Sequence, residues 1–155
     1  MNLPRLERTW LWLGGITMAF FFIIVLSLAV MADIEPPSYG QTIDPTKVSQ
    51  TPPFDHPGLH QTGPKAYEAY YVGQVFSWNP ASITIPVGSA VTFYVTSSDV
   101  VHGFSVPTAD VNAEVMPGWV SRVEHTFLKP GDYPIICNQY CGIGHSAMFA
   151  HIIVR

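Results

Sequence analysis

The chain has 155 residues, 48% of them hydrophobic and only 12% charged, roughly half the ~25% charged fraction of an ordinary soluble domain. That composition excludes a disordered chain, a coiled coil and a charge-driven nucleic-acid binder, and a formal net charge of −4 gives no polyanion a partner. Fourteen Pro and 12 Gly beside 13% aromatic residues predict short strands joined by turns, while two Cys are too few for a disulfide-stapled miniprotein.

In chain order, apolar residues come first. From Thr9 to Ala32 no residue is charged. At about 1.5 Å per residue this stretch makes roughly 36 Å of helix, enough for a ~30 Å hydrocarbon core with some tilt. A buried core helix would show a polar face. A cleaved signal peptide, suggested by Val30-Met31-Ala32, would have an apolar stretch of only about 7–15 residues. The expectation is therefore a retained transmembrane helix over 10–32, in contact with lipid. Arg5 and Arg8 precede it, and Asp33 and Glu35 follow it. By the positive-inside bias, residues 1–9 are cytoplasmic and everything after Asp33 lies on the outer, periplasmic side of the cell membrane. Trp10 and Trp12 fall at the inner interface belt.

Residues 33–63 hold Pro36, Pro37, Pro45, Pro52, Pro53 and Pro57 with few apolar runs, and predict a stiff, extended linker. His56 and His60 are four apart within it, but Pro57 makes a metal-binding helix unfavourable there, so they read as solvated. No internal repeat is present.

Residues 64–155 form the exported domain. Segments 69–76, 83–85, 90–95, 100–106, 111–116, 120–127, 133–137 and 148–154 are rich in β-branched and aromatic residues, and are separated by turns such as Asn79-Pro80, Pro86-Val87-Gly88 and Lys129-Pro130-Gly131-Asp132. Val91, Phe93 and Val95 alternate as a half-buried strand requires. Seven or eight short strands in about 90 residues predict an all-β, antiparallel sandwich, with no helix outside the anchor.

The chemistry lies in Cys137-Asn138-Gln139-Tyr140-Cys141-Gly142-Ile143-Gly144-His145-Ser146-Ala147-Met148, spaced C-x3-C-x3-H-x2-M. Two exported cysteines by themselves would read as a disulfide. Beside an imidazole and a thioether they instead form the soft donor set that selects copper, whereas zinc has no use for Met. Gly142 and Gly144 let the backbone fold tightly enough for the donors to converge. A further ligand is expected from His102, which follows the alternating strand in Asp99-Val100-Val101-His102-Gly103-Phe104. His125 and His151 lie on regular strands and read as structural or surface residues; Met116 and Met18 read as packing and lipid-facing residues.

Cys-x3-Cys-Gly-x-Gly-His-x2-Met, after an upstream Asp-x2-His-Gly-Phe, resembles the dinuclear copper (CuA) site of cytochrome c oxidase subunit II. The resemblance runs from the anchor to residue 155, and the single helix with Cys-Asn-Gln-Tyr-Cys is similar to the short ba3-type branch. It implies a cupredoxin-like Greek-key sandwich binding two copper ions. Cys137 and Cys141 would bridge both ions, His102 and Met148 would complete one, and His145 with the main-chain carbonyl of Gln139 the other. A lone copper in a blue-copper site needs one Cys, two His and a weak axial ligand; here a second Cys is left over. Such a centre has no open coordination position, so it conducts electrons and leaves oxygen reduction to another subunit.

The resemblance further implies a haem-bearing subunit I as partner, a c-type cytochrome as electron donor, and membership of an oxygen-reducing, proton-translocating oxidoreductase. Gln74-Val75-Phe76-Ser77-Trp78 is similar to the family's aromatic donor-docking segment, and Trp78, just before Asn79-Pro80, is expected at an exposed loop end. Ordinary strand packing is the competing account of this segment. Most family members carry a Mg²⁺-binding Glu where this chain has Gln139, so no Mg²⁺ is expected there. Alternative readings are a CuA domain serving a nitric or nitrous oxide reductase, a membrane-tethered copper chaperone, and a disulfide-linked structural domain.

Overall fold

A computed structural model describes residues 4–31 and 38–155, with Ser38 and Tyr39 described by backbone alone. The expectations for residues 1–3, Ala32, Asp33, Glu35, Pro36 and Pro37 lie outside the described residues. The chain divides into two units, a helix and a β-rich remainder.

Helix α1 spans Arg5–Met31, beginning earlier than the expected 10–32 and so absorbing much of the predicted N-terminal segment. It is long and apolar enough to cross a membrane, and none of its residues is buried. At about 1.5 Å per residue it reaches roughly 40 Å.

Among the described residues, the remainder contains eleven strands: β1 (Ser38–Thr42), β2 (Gly58–Gly63), β3 (Ala66–Gln74), β4 (Ser77–Asn79), β5 (Ser82–Ile85), β6 (Ser89–Ser97), β7 (His102–Val106), β8 (Val111–Val115), β9 (Trp119–Phe127), β10 (Gly131–Cys137) and β11 (Phe149–Val154). They form two sheets. One runs β1-β9-β6-β3-β2 with β4 paired to β3, and the other runs β5-β11-β10-β7-β8. Strands with one face on the core alternate as they should: in β8, Val111, Ala113 and Val115 are buried while Asn112 and Glu114 are exposed. Among the described residues outside α1, helical structure is limited to three single 3-10 turns.

Two expectations are corrected. The sandwich is not wholly antiparallel: β3 pairs β6 and β5 pairs β11 in parallel, because the chain crosses between sheets before each of those pairings. Nor is 33–63 simply a linker. Its described part supplies both edges of the larger sheet, β1 against β9 and β2 against β3. Between them Ile43, Val48 and Phe54 are buried with Val72 and Val120, on the sheet face opposite the main core. The signal was weak because an edge strand exposes much of its surface and so shows little apolar alternation; proline in such a segment blunts the edge against further pairing. His56 and His60 are both exposed as expected, but His60 lies on β2, with its ring edge-on to Tyr70 at 5.4 Å.

The main core lies between the sheets around Tyr71, Phe93, Phe104 and Phe127. Phe104 is its hub, with ring centroids 5.2 Å from Tyr71, 5.3 Å from Trp78 and 5.5 Å from Phe93. Because Phe104 is two residues beyond His102 on β7, this packed core fixes the strand from which His102 projects.

Candidate metal centre

Three strand ends meet at one pole of the sandwich. β7 starts at His102, β10 ends at Cys137, and β11 starts just after Met148. Cys137 pairs with Phe104 across the sheet. The loop from 138 to 148 is closed at its base by Cys137 N–H donating to Met148 O at 3.2 Å, and docked to β7 by Asn138 N–H donating to Gly103 O at 3.2 Å. Inside it, His145 N–H donates to Gly142 O and Met148 N–H to His145 O, at 3.1 and 3.2 Å. Gly142 has φ +128°, a conformation that L side chains rarely adopt.

This folding brings the six expected donor residues together. Cys137 Sγ and Cys141 Sγ are 3.8 Å apart, and both cysteines are free. That is far beyond a disulfide's roughly 2.05 Å bond. Two sulfurs this close could both be held by one metal ion. His102 Nδ1 lies 3.9 Å from Cys137 Sγ, and the Gln139 carbonyl oxygen 3.2 Å from the same sulfur. Cys141 Sγ lies 3.7 Å from His145 Nδ1 and 3.8 Å from Met148 Sδ. Donor atoms of His102, Cys137 and Cys141 all fall within 4.8 Å of one another, and the Gln139 carbonyl and His145 add to the set through Cys137 and Cys141 respectively.

His102, Cys137, Cys141 and Met148 are buried, and His145 is half-buried. Burial, followed by the neighbouring Cys137 thiol, pushes the Cys141 thiol up to about 11. A metal that binds here must therefore displace the proton of the buried Cys141 thiol. With His102 Nδ1 turned to sulfur, its Nε2–H donates to Asp99 Oδ1 at 3.0 Å. Asp99 also accepts from Val75 N–H at 2.7 Å and Val100 N–H at 2.6 Å. Partial burial would raise the Asp99 carboxyl, but these hydrogen bonds outweigh it and hold the group below its ordinary value. Sequence reasoning gave Asp99 no role. Its position three residues before a candidate ligand was the available signal, since ligating histidines commonly donate their second N–H to a carboxylate.

The two docking candidates separate. Phe76 is 39% exposed and its ring lies over the metal loop: a Cβ on Gly142 would come within 2.9 Å of Phe76 Cε1, and one on Gly144 would run into the same ring. Trp78 is only 3% exposed. It is on β4 rather than at a loop end, and faces inward opposite Gly73, so the expectation of an exposed Trp78 is corrected. Tyr140 (79% exposed) and Ile143 (98%) are apolar residues of the metal loop that carried no sequence pattern, because neither lies on a regular element. His151 Nδ1 is 2.8 Å from Asp132 Oδ1, and His125 packs edge-on to Phe127 at 4.7 Å, both away from the centre as expected.

The family model described as "Cytochrome C oxidase subunit II, periplasmic domain" matches residues 76–155. The curated cytochrome c oxidase subunit 2 of Thermus thermophilus is 41% identical over 154 residues, covering 96% of this chain and 91% of that protein. The chain belongs to the cytochrome c oxidase subunit II family. A second subunit 2 sequence from Thermus thermophilus is 44% identical over 126 residues, covering 80% of this chain and 93% of the relative.

Among solved structures, a chain of a heme-copper terminal oxidase dimer superposes with a TM-score of 0.81 at 32% identity, over 97% of this chain and all of that one. The periplasmic domain of subunit II from Bradyrhizobium japonicum, at 20% identity and a TM-score of 0.53 over 57% of this chain and 83% of that one, shares the fold alone. The all-β cupredoxin-like architecture behind one N-terminal helix is that of the family. The chain is thus a subunit of a haem–copper oxidoreductase, with a catalytic subunit as partner, and copper is the metal expected of its domain.

Proposed function

We propose that this chain is the electron-accepting subunit of a terminal respiratory oxidase. It would take electrons from a c-type cytochrome and pass them to the haem-bearing subunit that reduces oxygen. The observation that carries the reading is the pair of free thiols 3.8 Å apart, flanked by two imidazoles, a thioether and a carbonyl. Six donors are two more than one tetrahedral ion can use, which supports a pair of copper ions. Cys137 and Cys141 would bridge them, with His102 and Met148 on one ion, and His145 and the Gln139 carbonyl on the other. When bound, the copper pair supplies a one-electron carrier.

The chain's own residues supply the rest. The thiolates hold the metals in a buried pocket, Asp99 fixes the His102 tautomer, and the loop hydrogen bonds keep the donors in place, so the site rearranges little as charge comes and goes. Phe76, Tyr140 and Ile143 present exposed apolar surface beside the metal loop and would form the docking face for the cytochrome. Helix α1 would anchor the chain in the lipid of the cell membrane with its N-terminus cytoplasmic and the metal domain on the outer side. Gln139 would leave the domain without a Mg²⁺ site at that position.

Relatedness over nearly the whole chain to oxidase subunits, the helix included, argues against a nitric or nitrous oxide reductase. Four of the six donors, His102, Cys137, Cys141 and Met148, are buried, which argues against a copper chaperone, whose ligands must exchange. The test is to load the full chain with copper, count the ions, record the electron paramagnetic resonance spectrum, and mix it with a reduced c-type cytochrome. Two ions per chain sharing one unpaired spin, with rapid oxidation of the cytochrome, is the expected result. One ion per chain at saturation would overturn the dinuclear reading.

A further inference from the structure

On sequence, Trp78 belonged with Phe76 as a surface residue; its surroundings give it another task. In the β3–β4 pairing Trp78 stands directly opposite Gly73. Opposed residues on neighbouring strands project from the same face. Because Gly73 has no side chain, the indole occupies the space above it and continues to His102, whose ring centroid lies 5.7 Å away with the planes inclined at 60°. A Cβ on Gly73 would be 3.0 Å from Trp78 Cζ3 and 3.0 Å from His102 Cδ2, so both rings close over that one backbone position. On its far side the indole meets Phe104 edge-on, at 5.3 Å and 88°. Trp78 Nε1 is buried and finds no acceptor among the described residues. The ring is thus held by its shape, not by a hydrogen bond, at a site where an apolar side chain would leave no donor unsatisfied.

We infer that Trp78 is a positioning residue for His102: its indole and the bare backbone of Gly73 wall the imidazole so that Nδ1 stays aimed at Cys137 Sγ. Asp99 tethers one ring atom, Nε2, and a single hydrogen bond leaves the ring free to tilt about it. The indole wall and Gly73 remove that freedom from the side. The inference rests on His102 being a copper ligand. It predicts that Trp78 sets the electronic structure of the centre and takes no part in donor recognition.

The experiment uses the full chain loaded with copper, in wild-type, Trp78→Leu, Trp78→Phe and Gly73→Ala forms. The readouts are copper content, the hyperfine-shifted imidazole proton resonances of the oxidised centre and the reduction potential of the chain, and the KM for a reduced c-type cytochrome of the intact oxidase assembled with it. In Trp78→Leu and Gly73→Ala the resonances of His102 should move while those of His145 stay, and the potential should shift at unchanged donor KM. Trp78→Phe, which keeps an aromatic edge, should restore most of the wild-type pattern. Unmoved His102 resonances in Trp78→Leu, or equal movement of both histidines, would overturn the inference. So would a raised donor KM with an unaltered spectrum, which would return Trp78 to the docking face. Wild-type protein lacking two coppers would instead overturn the copper reading itself. A Trp78→Leu chain that fails to fold leaves the same comparison to Gly73→Ala and Trp78→Phe.

Discussion

In the proposed copper pair, Cys137 and Cys141 would be the two donors that no other group in the pocket can replace, because only they could each touch two metals. Serine keeps the volume but loses the soft, bridging sulfur, so Cys137→Ser and Cys141→Ser should each abolish the copper pair. Copper counting with resonance spectroscopy checks this, and an intact two-copper signal in either variant would contradict the bridging role. Met148 would supply a weak thioether donor in the same scheme. Met148→Leu, a swap of similar volume at a buried site, should keep both ions and shift the reduction potential. Gln139 would contribute its main-chain carbonyl, 3.2 Å from Cys137 Sγ, whereas its neutral side chain offers Mg²⁺ far less than a carboxylate would. Metal analysis of the intact complex should find no Mg²⁺ held there; Mn²⁺ bound through that amide after substitution would refute it.

At the scale of elements, the segment between β1 and β2 makes the sharpest prediction. Phe54 is buried beneath it, with its ring 5.5 Å from Tyr70, inside a small cluster with Ile43, Val48, Val72 and Val120. If this stretch were only a tether, Phe54→Ala would leave stability unchanged. As part of the folded domain it should cost about 3 kcal/mol, the low end for a buried Phe→Ala truncation. Denaturant unfolding of the metal-free protein measures the difference. The metal loop is an element of another kind. It is irregular because its hydrogen bonds run from loop to strand and from turn to turn, and its glycines are there to clear the Phe76 ring.

For the molecule as a whole, residues 33–155 carry ten acidic and five basic residues, a net of −5. These charges are sparse, and the surface beside the metal loop is apolar at Phe76, Tyr140 and Ile143. Encounter with a c-type cytochrome should therefore depend mainly on apolar contact, with charge modestly affecting the on-rate. Stopped-flow rates should fall by less than about tenfold between low and moderate salt; a collapse by orders of magnitude would mean that a charged patch governs docking.

Features that depend on local chemistry were legible in the amino-acid order. The apolar run dictates a helix, alternation marks the core strand β6, and C-x3-C-x3-H-x2-M states a copper donor set, because ligand type and close spacing are both written in one short segment. What tertiary structure alone decided is whatever depends on which strands become neighbours. Two parallel pairings, and two sheet edges drawn from a proline-rich stretch, follow from crossovers that no local pattern encodes. The same holds for Trp78. A residue before Asn-Pro reads as a loop end, yet pairing β4 with β3 sets it opposite a glycine and turns it inward onto His102, for burial is a property of the partner strand as much as of the residue.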